Sequence, residues 1–167
     1  PPLPPAPKTP VPTFASYEVA DFRKAGIGSN ADAFYEDWYR STLRRMVALV
    51  IATEGPVYDT TLVERVRVAH GFGRAGGRIR EAVLGAVDAG VRRVMEGDGR
   101  AVYFPATVDP ARVAFRQSDR LVRDVDAIPV MELAGLARAL DVGNKFNDDA
   151  VIAMRDVLGV ARVGAPM

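Results

Sequence analysis

The sequence predicts a mainly α fold with a small β-hairpin: a winged helix-turn-helix followed by a helical second winged-helix-like repeat that stops short. Three observations predict it. Amphipathic stripes follow one another after residue 40, an Asp98-Gly99 pair lies between two short β-type runs, and a helix–glycine–arginine pattern recurs 88 residues after its first appearance.

The first stripe is Leu43, Met46, Val47, Val50 and Ile51, the i, i+3, i+4, i+7, i+8 spacing of one helix face, and Gly55-Pro56 stops it. The second helix is expected to open on a capping box, Thr61-Leu62-Val63-Glu64. It buries Leu62, Val63 and Val66 and ends near His70-Gly71, where glycine can take the left-handed conformation. The third runs from about Gly76 to Ala89 with Ile79, Ala82, Val83 and Ala86 inward, opposite Gly77, Glu81, Leu84 and Asp88. Val91–Phe104 then folds back through Asp98-Gly99 as the hairpin. This divides the chain into a proline-rich linker (1–12), a lead-in (13–39), a winged-helix domain (40–104), a connector (105–127) and a helical partial repeat (128–167).

Gly71-Phe72-Gly73-Arg74-Ala75-Gly76 has the spacing that cradles a dinucleotide pyrophosphate, but that fingerprint needs a buried strand directly before it. The preceding run is LVERVRVAH, whose Glu64, Arg65 and Arg67 break any apolar strand and suit the solvent face of a helix. Glu96 lies where a ribose-binding acid would be expected. The chain nevertheless turns straight back at Gly97-Asp98-Gly99 instead of entering a crossover helix. The glycines are therefore read as an inter-helix turn, and no cofactor is expected.

Shifted by 88 residues, Val63, Arg67, Gly71, Arg74 and Gly76 recur as Val151, Arg155, Gly159, Arg162 and Gly164, and Tyr58 meets Phe146. A helix over Pro129–Leu140, with Leu133, Leu136, Ala137 and Leu140 on one face, takes the place of the first helix. Leu133, Leu136, Leu140, Val151, Met154 and Leu158 are then expected to pack against the first unit. A face of that size does not stay wet.

The chain has 167 residues, no cysteine and one histidine, which leaves no disulfide, no thiolate chemistry and no imidazole-rich zinc site. No apolar run is long enough to span a membrane and no signal peptide is recognisable, so a cytoplasmic address is expected. The net charge of +1 is unevenly spread: residues 40–104 carry eleven basic and seven acidic side chains, whereas 1–39 carry three and five and 105–167 carry eight and nine. Seven of the twelve prolines lie in residues 1–12, a polyproline-type tether, and the start at Pro1 suggests a piece of a larger protein.

The run MVALVIATEGPVYDTTLVERVRVAHGFGRAGGRIREAV, with the hairpin and the later IPVMELAGLARAL, resembles the bacterial domain of unknown function 3320 over about residues 34–167. The most specific segments are Glu54-Gly55-Pro56-Val57 and Arg74–Glu81. The family often has hydroxyl residues at the places of Ala75 and Gly77 and His at that of Tyr58. The resemblance implies the C-terminal module of a large superfamily I helicase-like protein with a Vsr-like endonuclease domain, and supplies no activity for the module itself.

Position along the chain selects Arg74 and Arg78, at the start of the third helix, and Arg92, Arg93 and Arg100, on the wing, as nucleic-acid-binding candidates. Against them stands the possibility that these arginines pair with Glu81 and Asp88 and merely solvate the surface. Phe34, Tyr35 and Trp38 are expected to cover the first helix, with base stacking as the alternative. His70 is expected to cap or pack, and Asn147-Asp148-Asp149 to cap the last helix. No catalytic set recurs. The expectation is a non-catalytic monomeric accessory module that assists duplex DNA engagement beside the helicase/nuclease core of its parent protein, with protein docking as the competing class.

Overall fold

The computed structural model describes residues 12–140 and 148–160. Its elements are β1 (Ala15–Ser16), α1 (Arg40–Glu54), β2 (Val57–Tyr58), α2 (Asp59–Ala69), α3 (Gly77–Gly85), β3 (Arg92–Met95), β4 (Ala101–Phe104), β5 (Arg116–Gln117), α4 (Val130–Ala139) and α5 (Asp148–Leu158). The fold is mainly helical with a small antiparallel sheet. That sheet has the order β2-β4-β3, while β1 and β5 form a separate parallel pair.

All five residues of the α1 stripe are buried, as are Leu62, Val63 and Val66 of α2 and Ile79 and Val83 of α3. Strand alternation makes the sheet the middle layer. Val57, Ala101 and Tyr103 face the helices, and Tyr58, Val102 and Phe104 face the opposite way onto Val113, Val108 and Met131. The register pairs Val57 with Tyr103 and Tyr58 with Val102, so each face is continuous across the strands. The second face is closed by the C-terminal half, where Phe115, Ile128 and Leu136 form a further buried cluster. Gly135 permits this closeness, since a Cβ there would run into the Val113 carbonyl and the Phe115 amide.

Two buried carboxylates fasten the layers. Glu54, fully buried at the end of α1, accepts from both Tyr17 OH (2.5 Å) and Arg65 Nε (3.0 Å). Glu132, fully buried in α4, accepts from Arg116 (3.0 Å) and Arg123 (2.9 Å). Arg116 also donates to the Glu54 and Gly55 carbonyls, at 2.9 and 3.0 Å. The guanidinium groups of Arg116 and Arg123 lie 5.1 and 3.9 Å from the Tyr17 ring centroid. Burial, with the Glu54 carboxylate beside it, holds the Tyr17 hydroxyl well above the ordinary phenol range. The lead-in, α1, α2 and α4 thus share one polar network.

Several expectations are corrected. α2 begins at Asp59, not at Thr61; its N-cap residue Tyr58 makes no side-chain cap bond, and the Asp59 carboxylate accepts from Thr60 N at 2.7 Å. The two-residue β2 delivers the chain directly into the helix, and Arg67 holds the Glu64 carboxylate at 2.6 Å, which removes the capping-box acid. α3 ends at Gly85, short of Ala89. Glycine is a weak helix interior residue, the Ala86 and Val87 amides bond back to Val83 and Leu84, and Asp88 turns the chain by accepting from Gly90 N at 2.8 Å. Leu84, expected on the open face, packs against the core. Val151, expected on the buried stripe of the last helix, is 59% exposed, and Met154, Val157 and Leu158 make the contacts.

The recurring helix–glycine pattern has matching geometry. After α2, Phe72 N bonds to Arg67 O and Gly71 N to Val68 O; after α5, Val160 N bonds to Arg155 O and Gly159 N to Asp156 O. Both glycines are left-handed, with φ of 70° and 64°. These are the paired bonds of a Schellman cap, repeated at the same 88-residue offset. Phe146, Asn147, Arg162 and Gly164 lie outside the described residues.

Candidate nucleic-acid interface

The Gly71–Gly76 run joins two helices, so the strand that a dinucleotide site requires is absent in front of it. Arg67 shapes this turn by donating to the Phe72 carbonyl while it pairs with Glu64. Arg74 stands exposed in the turn. One turn further on, Arg78 is the second residue of α3, and its guanidinium carbon lies 4.5 Å from the Tyr35 ring centroid. Arg80 is different: it is held by Asp59 of α2 at 2.5 Å, fixing α3 against α2. The N-cap residue Gly76 supplies no side-chain cap, which leaves the first turn of α3 without one.

The hairpin arginines separate into two kinds. Arg92 and Arg93 are exposed on edge strand β3, but neighbours in a strand point to opposite faces. Arg93 pairs with Tyr103 and shares the helix-side face with Met95, whereas Arg92 pairs with Phe104 on the face that meets the C-terminal half. Arg100 is engaged internally. It pairs with Asp98 at 2.6 Å, lies 3.9 Å from the Tyr58 ring centroid and donates to Asp126 O at 2.8 Å. Bonds from the Arg100 amide and guanidinium hold the Asp98 carboxyl below its usual range. Glu96 completes the loop, accepting from Tyr58 OH at 2.5 Å and from Met131 N at 3.3 Å. Arg100 therefore fixes the hairpin loop to the segment before α4, and Glu96 fixes it to the first turn of α4.

Among the described residues, Arg74, Arg78, Arg92 and Arg93 make no ion pair with Glu81, Asp88 or any other acid. The structure also places residues that the sequence reading did not select. Arg40 and Arg44, one turn apart on α1, join Arg78, Tyr35, Leu43 and Ala82 around a cleft of about 430 Å³ between α1 and α3. Their i, i+4 spacing on the polar face of α1 was the available signal. Phe34 is buried at 1% exposure, whereas Tyr35 and Trp38 are 49% and 65% exposed, so only the first of the three covers the core.

His70 is buried beside that aromatic group. Its Nδ1 lies 2.7 Å from Val66 O, which requires a proton there, and its Nε2 lies 2.7 Å from Tyr39 OH, which it can accept from. The neutral Nδ1–H tautomer satisfies both. Burial holds its pKa below the ordinary 6.5, so as pH falls the unfolded chain takes up the proton first. Stability contributed by neutral His70 is present above pH 6.5 and lost progressively below it. Thermal unfolding followed between about pH 7.5 and 5 should show a Tm decline that His70→Gln flattens. An equal decline in that variant would assign the effect elsewhere.

Among the described residues no group of three or more His, Cys, Asp or Glu is placed to hold a metal ion, and no helix is long and apolar enough to cross a membrane. No curated protein and no solved structure matches the chain. Residues 32–81, which span α1, α2, the glycine turn and the first half of α3, match the family described as protein of unknown function (DUF3320).

Proposed function

We propose that the chain is a non-catalytic accessory module in which α1, β2, α2, α3 and the β3–β4 hairpin act as a winged helix that engages duplex DNA, with the α4–α5 part a second, partial unit of the same kind. The engaging groups are Arg74 and Arg78 at the start of α3 and Arg93 on the wing edge, with Arg92 reaching the backbone from the other face of β3. Arg100 serves by holding the loop. The observation that carries this reading is that these four exposed arginines have no carboxylate partner among the described residues, while the neighbouring Arg67, Arg80 and Arg100 all do. Free guanidinium groups beside an uncapped helix start are suited to phosphates. Within the same proposal the module works beside the helicase/nuclease core of a cytoplasmic parent protein, which is what the resemblance to the domain of unknown function 3320 implies.

A protein-docking module is the second reading, and the exposed Val151 and Ile152 on α5, at 59% and 44%, favour it. Titration of a labelled blunt duplex at about 50 and 150 mM salt separates the two. Non-specific binding of roughly micromolar strength or weaker at the higher salt is expected. Each lost phosphate contact should lower the log–log salt slope by about 0.9. Arg93→Glu and the pair Arg74→Glu and Arg78→Glu should each abolish binding, while Arg112→Glu, an exposed charge on the C-terminal half, should not. Absence of binding at low salt, or equal loss in all three variants, would leave the docking reading.

A further inference from the structure

We infer that the cleft between the N-terminal turn of α1 and α3 is a second binding site, for an unpaired nucleotide of a nucleic-acid single strand. The cleft, about 430 Å³, is lined by three guanidinium groups from two helices, Arg40, Arg44 and Arg78, with Glu81 as its only acid. Arg40 is tied to exposed Asp37 at 3.3 Å. Arg44 has no partner among the described residues, and the Arg78 guanidinium is directed by stacking on Tyr35 instead of by an acid. All five N–H donors of Arg44 and of Arg78 are therefore available.

The lining is half apolar in character, with Leu43 and Ala82 beneath the arginines and half-exposed Tyr35 at one wall. Phosphate grips beside an aromatic ring and a planar guanidinium are the two components of single-strand binding: the cations track the backbone and the flat groups stack unpaired bases. A paired duplex offers no free base face to Tyr35. Tyr35 is held in place from behind, since the buried Phe34 ring meets it edge-on at a centroid distance of 5.0 Å. The site goes beyond the proposed duplex face, touching it only at Arg78, and apart from that residue it stands on groups that the duplex reading does not use.

The test is anisotropy of the full chain with a labelled 12-nucleotide single strand, a blunt duplex and the same duplex carrying an unpaired overhang. The overhang should strengthen binding over the blunt duplex. Tyr35→Ala should weaken single-strand and overhang binding at least about fivefold, and Arg44→Gln should lower the single-strand salt slope by about 0.7 while leaving the blunt duplex unaffected. Tyr35→Phe, which keeps the stacking face, should bind as the parent does. Arg93→Glu should show the reverse pattern, so loss of duplex binding alone would count against the duplex face and not against the cleft. Single-strand affinity unchanged in both Tyr35→Ala and Arg44→Gln would overturn the site. Displacement of the strand by a free mononucleotide at equal phosphate concentration would overturn its assignment to a strand.

Discussion

Glu132→Ala is expected to destabilise the protein by about 3–5 kcal/mol, the usual cost of removing one partner from a buried ion pair. The carboxylate is fully buried, and the two side chains that it neutralises are only 16% and 2% exposed. Deleting it strands two desolvated guanidinium groups. Arg123 has little recourse, because its Nε is already buried without a partner, and what remains is the Arg116 carbonyl at 2.5 Å. Arg116 keeps the Glu54 and Gly55 carbonyls, which do not carry a full compensating charge. In a domain of this size the loss corresponds to a Tm decrease of roughly 6–20 °C. The control is Arg155→Ala, which breaks the solvent-facing pair with Asp156 and should cost about 0–1 kcal/mol. Urea unfolding of both variants measures the difference, and a loss below about 1 kcal/mol for Glu132→Ala would mean that solvent reaches the network.

Glu132 also marks what a sequence can and cannot disclose. The α1 stripe, the inward residues of α2 and the hairpin turn were legible because period 3.6 and an Asp-Gly pair are local signals. The buried acids had a local signal as well: Glu54 stands three and four residues after Ile51 and Val50, on the apolar stripe itself, and Glu132 stands four before Leu136. A carboxylate at a core position demands a partner. Which partner was not legible, since Tyr17 lies 37 residues from Glu54, and Arg116 lies 16 from Glu132. The strand β2 escaped for a different reason. Two residues cannot display a period of two, and Val57-Tyr58 becomes a strand only through its register with Tyr103 and Val102.

The candidate interface was legible to the same extent. Arg74 and Arg78 follow from helix position alone, and the opposite faces of Arg92 and Arg93 follow from strand alternation. The engagement of Arg100 depends on Asp126, 26 residues away, and on a ring from β2. The cleft depends on the packing of α1 against α3, which brings Arg44 to Arg78 across 34 positions of sequence. Local composition suggests a basic surface. Only the fold sorts its arginines into those held by acids and those left open.

Removal of residues 128–167 is expected to leave a fragment that no longer unfolds cooperatively at the temperature of the whole chain. The cut takes away Ile128 and Leu136, 4% and 0% exposed, each worth about 1.5–3 kcal/mol of burial. It takes Met131 from the outer face of the sheet, uncovering part of the Tyr58, Val102 and Phe104 surface. It also takes Glu132, so Arg116 and Arg123 face the same loss of charge compensation as in the point variant, without α4 to exclude water from them. These costs together are comparable with the whole stability of an ordinary domain, about 5–15 kcal/mol. Water entering the opened network would relieve the stranded cations, but only by wetting Phe115, whose burial against Leu136 the network protects. The fragment therefore loses in either direction, through uncompensated charge if it stays closed and through apolar exposure if it opens. Calorimetry with light scattering should find the intact chain monomeric with one transition and the fragment molten or associated. A fragment that melts with the same midpoint as the intact chain would show that the α1–α3 unit stands alone and that the sheet face needs no cover.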